Sequence, residues 1–164
     1  MRDLDALLAA NRAFADSFHL GHLEVRPVRR LAVLTCMDSR YSAQAVLGLR
    51  MGDAHVIRNA GGRVTDDVIR SLALSAHLLG TDTCLVIHHT GCGLFGVTNA
   101  ALRARVEAAT GTSAAGVDFL PFDDIEASVR EDVMRLAAST LLPPGYAVAG
   151  FVYDVRTGRL TPVA

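Results

Sequence analysis

Five side chains with metal-binding, proton-transfer or anion-binding chemistry fall in two short motifs of this chain. Cys36, Asp38 and Arg40 alternate with other residues in the first motif, and His89 and Cys92 lie three positions apart in the second. Thiolate and imidazole are ligands that zinc prefers, and three protein ligands leave the fourth tetrahedral position open, as in catalytic zinc sites. The two motifs therefore predict a catalytic zinc site with Cys36, His89 and Cys92 as its ligands.

Asp38 and Arg40 distinguish this site from a structural zinc site, which needs neither residue. A centre of two thiolates and one neutral imidazole carries about zero net charge, so it lowers the pKa of a bound water less than a tri-histidine centre does. We expect Asp38 to accept a hydrogen bond from zinc-bound hydroxide and Arg40 to hold Asp38 through a forked contact. In a closed alternative, Asp38 itself is the fourth zinc ligand.

Both motifs directly follow apolar runs that predict β-strands. Strands are predicted ahead of the two motifs and in three further segments, over 30–35, 83–87, 54–58, 146–154 and about 160–163. Helices are predicted at about 3–18, 42–47, 65–80 and 98–109 and from Asp123 onwards, where Glu126 completes a capping-box variant. Alternating strands and helices predict an α/β fold with a mainly parallel sheet, helices on both faces and a short terminal strand.

The order of the strands decides whether Cys36 and His89 can meet. If the strands before them are neighbours, and the strand over 54–58 lies on the far side of the first, the sheet has the order 2-1-3-4. Ligands of open α/β sheets bind where the chain leaves neighbouring strands in opposite directions, beyond the carboxyl ends of the strands. We therefore expect the zinc site at this edge of the sheet.

Alternation along the third predicted strand separates its candidate ligands. Successive side chains point to opposite faces, which puts His89 with Ile87 on one face and Cys84 with His88 on the other. The three-residue offset from His89 to Cys92 lets one loop turn bring both side chains to the same metal. We therefore assign His89 as the ligand and interpret Cys84 and His88 as packing or ligand-supporting groups.

Composition limits the classes of function. The 16 basic residues nearly balance the 17 acidic ones, so neither nucleic acid nor an anionic membrane is an expected partner. All of the basic residues are arginine, which excludes a Walker-A lysine and a pyridoxal phosphate Schiff base. The odd number of cysteines argues against a disulfide framework, and the apolar runs are too short for a bilayer span. Acidic residues near the N-terminus are untypical of a signal peptide, so we expect a cytoplasmic protein.

Two other motif matches are weaker. The run from Gly91 to Gly96 fits the dinucleotide-binding pattern G-x-G-x-x-G. Cys92 within it is already assigned to the metal, however, and no strand that ends in an acidic residue follows about 20 residues later. A cysteine phosphatase is also excluded, because Cys36 and Arg40 are closer together than in the phosphate loop of that class.

The two motifs strongly resemble those of the β-class carbonic anhydrases. C-x-D-x-R is present from Cys36 to Arg40, and H-x-x-C from His89 to Cys92, followed by the usual glycine. The runs 58–61 and 150–154, RNAG and GFVYD, resemble the short bacterial and actinobacterial branch of that family. The similarity covers about residues 33–153, although no counterpart of the substrate-pocket glutamine of plant-type members is identifiable.

The resemblance implies an architecture and a set of site residues. It implies one β-carbonic-anhydrase-like domain over residues 1–164, one zinc ion per chain on Cys36, His89 and Cys92, and Asp38 and Arg40 as a catalytic dyad. It also implies a homodimer or higher homo-oligomer, in which the N-terminal helix at about 3–18 packs on a partner subunit and the pocket forms at the interface.

The resemblance implies a reaction as well. The main expectation is a zinc-dependent carbonate dehydratase, a lyase that hydrates carbon dioxide reversibly to bicarbonate through zinc-bound hydroxide. The same branch includes carbonyl sulfide hydrolase with identical zinc ligands, so hydrolysis of carbonyl sulfide or carbon disulfide is the first alternative. A non-catalytic zinc protein with Asp38 as a permanent fourth ligand is the second.

Replacement of a single ligand should release the metal. In Cys36→Ser, Cys92→Ser and His89→Ala, a harder or missing ligand weakens a site whose binding energy is on the order of 10 kcal/mol and is coupled to folding. Elemental analysis of the purified variants should find little zinc, whereas Cys84→Ser, the matched control, should keep it. Near-stoichiometric zinc in any two of the three ligand variants would contradict the assignment.

Overall fold

A computed structural model describes residues 3–164, in which α-helices pack on both faces of a β-sheet. The strands are β1 (Leu31–Cys36), β2 (Ala54–Asn59), β3 (Thr83–His89), β4 (Ala147–Tyr153) and β5 (Leu160–Pro162). The helices are α1 (Leu4–Asp16), α2 (Ala43–Leu47), α3 (Asp66–His77), α4 (Asn99–Thr110) and α5 (Ile125–Ala137), and a 3-10 turn covers Ala60–Gly62. Within these described residues, no helix combines the length and the apolar content that crossing a membrane requires.

The strands lie in the order β2-β1-β3-β4-β5. The first four are parallel to one another, and β5 pairs antiparallel with β4. Because Thr35 pairs with Ile87 and Cys36 pairs with Asn59, the carboxyl ends of β1, β2 and β3 lie at the same edge of the sheet. The predicted α/β fold, with the order 2-1-3-4 and a short terminal strand, is confirmed.

The alternation of side chains along the strands divides the core into two layers. On one face, Leu34 of β1 packs with Leu72 of α3 and Leu136 of α5. On the other face, Ile87 of β3 packs with Ala43 of α2. Each fully buried leucine contributes roughly 1.5 to 3 kcal/mol to folding, so the sheet is clamped from both sides beneath the edge that carries the motifs.

Strand β3 is two residues longer than predicted. The sequence pattern placed its end at Ile87, whereas His88 and His89 continue the ladder and pair with Val152 and Tyr153 of β4. The apolar pattern stops at the histidines, but backbone pairing does not depend on side-chain polarity. His89 is therefore held by strand hydrogen bonding rather than by a free loop.

Two helix starts test the capping predictions. The predicted cap of α3 is confirmed, because Thr65 Oγ1 accepts a hydrogen bond from Val68 N at 3.3 Å. The predicted cap of α5 is wrong, because Asp124 rather than Asp123 caps that helix and accepts from Ala127 N at 2.9 Å. Two adjacent aspartates look alike to a sequence pattern, and the one next to the first helical residue has the extended backbone that a cap needs.

Helix α1 lies on the surface of the chain, with every residue exposed. Its apolar side chains include Leu4, Leu7, Leu8 and Phe14, of which Leu7 is 66% and Phe14 is 52% exposed. Apolar residues grouped in this way on a surface mark a contact with another molecule.

Gly150 of β4 lies against α5 with no room for a side chain. A Cβ at this position would collide with Val129 and would lie 2.9 Å from Val133 Cγ2. Gly150→Ala should therefore lower the free energy of unfolding by about 1–3 kcal/mol, the usual cost of overpacking, as measured by urea unfolding. In a Val129→Ala background the same substitution should cost less. Equal costs in both backgrounds would contradict the steric explanation.

Candidate metal centre

The side chains of Cys36, His89 and Cys92 converge at the carboxyl edge of the sheet. Strand β1 ends at Cys36, β3 ends at His89, and the loop after β3 carries Cys92. One possible ligand atom from each residue lies within 4.8 Å of the others, and all three residues are buried. The structure thus brings the three predicted ligands together at the switch point between β1 and β3, where ligands of such sheets bind.

The hydrogen bonding of His89 leaves one ring nitrogen available to a metal ion. Its Nδ1 donates a hydrogen bond to Thr90 O at 3.0 Å. Its Nε2 is buried and has no hydrogen-bond partner within residues 3–164. A buried polar atom without a partner is costly, and metal-bound histidines commonly donate their other ring N–H to a carbonyl in this way. The donor set of two sulfurs and one nitrogen fits zinc.

The two thiols of the centre perturb one another. A hydrogen bond from the Cys92 thiol lowers the pKa of Cys36 to about 4, against the opposing effect of burial and with further help from His89. The same shared proton, together with burial, raises the pKa of Cys92. Cys36 is therefore the more readily ionised of the two thiols, and a bound dication favours loss of both thiol protons.

Asp38 and Arg40 form the forked contact that their spacing predicts. Arg40 Nε donates to Asp38 Oδ1 at 2.9 Å, and Arg40 Nη2 donates to Asp38 Oδ2 at 2.7 Å. Arg40 Nη2 also donates to Gly91 O at 2.9 Å, which links the first motif to the second. The hydrogen bonds from Arg40 lower the pKa of Asp38 to about 2. The carboxylate is therefore ionised at neutral pH, and its Oδ2 lies 3.8 Å from His89 Nε2.

Arg58 supports the first motif, a contact that sequence reasoning missed. Its Nε donates to Cys36 O at 2.9 Å, and its Nη2 donates to Asp38 O. Its guanidinium carbon also lies 5.7 Å from the ring centroid of Tyr41, within the range of a cation–π contact. The signal was available in the strand order, because Arg58 pairs with Thr35, the residue before the first motif.

A small cavity opens beside the two thiols. Its volume is about 200 Å³, and its walls include Asp38, both cysteines of the centre, Met37, Ala60 and Leu94. Asp38 is the charged group among these lining side chains, and the other walls are apolar or carry sulfur. Such a cavity suits a small uncharged molecule.

Cys84 and His88 lie on the opposite face of β3 from His89, as predicted. Cys84 belongs to the apolar layer around Leu34, and burial raises its pKa to about 12. The ring nitrogens of His88 bond to Ser128 Oγ at 2.8 Å and to Asp132 Oδ2 at 3.1 Å. Sequence reasoning missed Ser128 and Asp132, because polar residues in a helical pattern ordinarily predict a solvated face.

A cluster of two cysteines and one histidine at the switch point of an α/β sheet is typical of a class of zinc enzyme, and comparison with known proteins gives the family. The family model described as carbonic anhydrase matches residues 31–120. The chain is 39% identical over 159 residues to beta-carbonic anhydrase 1 of Mycobacterium tuberculosis, which covers 97% of this chain and 96% of that protein. The chain belongs to the β-carbonic anhydrase family.

Two further similarities mark the range of its relatives. The crystal structure of carbonic anhydrase from Streptococcus mutans has a TM-score of 0.95 and 48% identity, and the match covers 100% of this chain and 99% of that one. Carbon disulfide hydrolase of Acidithiobacillus thiooxidans is 33% identical, over 82% of this chain and 77% of that protein. β-Carbonic anhydrases are zinc enzymes, and the cluster of Cys36, His89 and Cys92 is suited to hold the ion.

Arg40→Lys should impair carbon dioxide hydration nearly as much as Arg40→Ala. An ammonium is a point charge, whereas Asp38 and Gly91 O are held by a planar fork. We expect the turnover number, measured by stopped flow, to fall about tenfold or more, as for other groups that orient a metal site. Arg70→Lys is the control, since Arg70 pairs with Asp67 on the exposed surface of α3. Wild-type turnover in Arg40→Lys would show that the fork is dispensable.

Proposed function

We propose that the chain is a carbonate dehydratase, which hydrates carbon dioxide reversibly to bicarbonate. The observation that carries the proposal is the position of the Asp38 carboxylate, which Arg40 holds through both oxygens 3.8 Å from the unpartnered Nε2 of His89. A purely structural zinc centre requires neither the carboxylate nor its arginine.

The residues of the centre divide the work of this reaction. Cys36, His89 and Cys92 would bind zinc, which supplies the Lewis acidity that lowers the pKa of a water towards neutrality. Asp38 accepts a hydrogen bond from the attacking hydroxide and so turns a lone pair of the hydroxide oxygen towards the substrate carbon, while the proton that the parent water has lost passes to buffer. Arg40 keeps Asp38 ionised and in place.

The cavity supports a small uncharged substrate. Its volume of about 200 Å³ and its mainly apolar walls suit a linear molecule of three atoms, and carbon dioxide has this shape. Carbonyl sulfide and carbon disulfide share the shape and are the second candidate substrates, favoured by the similarity to carbon disulfide hydrolase. The higher identities to carbonic anhydrases favour carbon dioxide.

The third candidate is a non-catalytic zinc protein with Asp38 as the fourth ligand. Both oxygens of Asp38 bond to Arg40, and this arrangement favours the catalytic interpretation. A closed centre would require the carboxylate to leave this fork.

A homodimer built through α1 accompanies this proposal. The apolar residues of α1 are exposed along the whole helix, and a second copy of the chain would cover them. In such a dimer α1 of each subunit would pack on its partner, and the resemblance to the family implies a pocket at the interface.

Parallel assays on metal-analysed protein test the function. The wild type and Asp38→Ala are compared for carbon dioxide hydration by stopped flow and for carbonyl sulfide hydrolysis by release of hydrogen sulfide. The proposal expects hydration that is lost in Asp38→Ala while zinc remains bound. Faster hydrolysis of carbonyl sulfide than hydration of carbon dioxide would favour the second candidate. If the zinc-loaded wild type turns over neither substrate at any pH, the result would support the third candidate, a non-catalytic zinc protein.

Activity should rise with pH through roughly pH 7 to 8.5. A donor set of two thiolates and one neutral imidazole has about zero net charge with the metal, so water ionises at higher pH than in a tri-histidine site. Asp38 does not set this limit, because its pKa is lowered to about 2 and it stays ionised throughout. Turnover and zinc content are measured at each pH. Full activity at about pH 6 with zinc bound would contradict this, and activity lost in step with zinc would indicate ligand protonation.

A further inference from the structure

Four polar side chains are buried on the side of β3 that faces α5, away from the metal centre. Arg63, His88, Ser128 and Asp132 are each at most 3% exposed. The proposed reaction uses none of them. Because burial of charged groups is expensive unless they are paired and hydrogen-bonded, this buried cluster requires a physical explanation.

Asp132 is the hub of the buried cluster. Its Oδ2 accepts hydrogen bonds from Arg63 Nε at 2.8 Å and from His88 Nε2 at 3.1 Å. Arg63 Nη2 donates to Glu131 Oε2 at 2.6 Å, and Ser128 Oγ bonds to His88 Nδ1 at 2.8 Å. The cluster therefore crosslinks α5 to the end of β3 and to the segment after the 3-10 turn.

Two of the crosslinked segments lead directly to metal-centre residues. His88 directly precedes His89, so the cluster fixes the strand end from which His89 projects. Arg63 directly follows Gly62, and a Cβ on Gly62 would lie 2.9 Å from the backbone nitrogen of Cys36. The backbone beside Arg63 is thus packed tightly against the end of β1.

A third tether from Arg63 reaches the loop before α5. Arg63 Nη1 donates to Leu120 O at 3.0 Å. Leu120 has φ of 54°, a left-handed conformation that branched residues rarely adopt. Such a conformation persists only where surrounding contacts hold it, and the bond from Arg63 is one of them.

The loop held at Leu120 supports the loop that carries Cys92. Phe122 N donates to Leu94 O at 3.2 Å, and Gly96 N donates to Phe122 O at 2.8 Å. The ring of Phe122 also packs in one apolar cluster with Cys36 and Cys92. A shift of the Phe122 backbone would therefore move the Cys92 loop.

We propose that Arg63 and Asp132 are positioning residues that hold His89 and Cys92 in the three-ligand geometry. They act through His88 on the end of β3 and through the Leu120 carbonyl on the loop of Phe122. The consequence for turnover rests on the proposed function, whereas the consequence for metal binding does not.

Stability is a weaker explanation for the buried pair. Replacing a buried ion pair by uncharged residues of similar volume is often neutral or stabilising, because the desolvation cost disappears with the charges. Uncharged residues could not reproduce the positioning of the three segments, because only a planar group with several donors can reach Asp132, Glu131 and Leu120 O at once.

The test variant combines Arg63→Met with Asp132→Asn. It removes both charges at nearly constant volume and leaves an amide oxygen for His88, so its thermal unfolding midpoint should stay near that of the wild type. Loading with Co²⁺ should give shifted ligand-field and thiolate charge-transfer bands. Chelator competition should show about tenfold weaker Zn²⁺ binding, the loss typical of groups that orient metal ligands.

Arg135→Met is the matched control. Arg135 lies in α5 and, like Arg63, binds both a backbone carbonyl and a carboxylate: it donates to Val64 O at 2.7 Å and pairs with Asp66 at 2.8 Å. Val64 directly follows Arg63, but Arg135 bonds to none of Asp132, His88 and Leu120, through which the proposal acts. The Co²⁺ spectrum and the Zn²⁺ affinity of Arg135→Met should equal those of the wild type.

A wild-type spectrum and wild-type zinc affinity in the double variant would overturn the proposal, whatever its stability. If the double variant does not fold, Arg63→Lys replaces it, because an ammonium keeps the charge beside Asp132 but cannot also hold Leu120 O through a fork. The same shift and the same weaker binding are expected there, and their absence overturns the proposal. Wild type that lacks carbon dioxide turnover, while the variants show the shifted spectrum, would count against the proposed function only.

Discussion

Thr35 in β1 pairs with Ile87 in β3, and this parallel register sets the distance between the two motifs of the metal centre. A side-chain bond strengthens the pairing at the strand ends, since Thr35 Oγ1 donates to Ile87 O at 3.1 Å and bonds to the Tyr41 hydroxyl at 2.6 Å. The ring of Tyr41 in turn packs against His89, with ring centroids 5.3 Å apart. Strand pairing thus positions Cys36 at the end of β1, and the ring of Tyr41 limits the rotation of His89.

Three arginines surround this register, and each binds backbone carbonyls. Arg40 reaches Gly91 O, Arg58 reaches Cys36 O, and Arg63 reaches Leu120 O. A guanidinium offers several donors in a fixed plane, so one side chain can join segments that are distant in the chain. In a chain whose basic residues are all arginine, these groups serve as crosslinks between loops as much as they serve as charges.

The sequence was sufficient for the sheet and for the convergence of Cys36, His89 and Cys92, because both follow from local patterns. Apolar runs and their alternation predicted β1, β3 and the opposite faces of His88 and His89, and the two motifs predicted which side chains converge. The strand order places Arg58 near the first motif, but the bonds of its side chain to that motif depend on the register between β1 and β2, which only the folded chain defines.

The buried cluster was beyond prediction for a different reason. Ser128 and Asp132 occupy positions in α5 that a hydrophobic pattern assigns to solvent, and their burial is intelligible only once His88 and Arg63 face them. The cap of α5 illustrates the same difficulty on a smaller scale. Asp123 was predicted and Asp124 is observed, and only the backbone conformation distinguishes two neighbouring aspartates.

The two adjacent histidines of β3 affect how accurately this strand reaches its native register during folding. A shift of β3 by one residue relative to β1 would bring His88 to the metal face. The metal centre would still contain an imidazole, so metal binding alone would discriminate poorly between the two registers. The same slip would set Ile87 opposite Asp132 and remove the hydrogen bond from His88 Nε2, so that an apolar side chain would face a buried carboxylate, which is costly. Asp132 on α5 therefore disfavours the shifted register of β3, against which the metal ligands alone discriminate poorly.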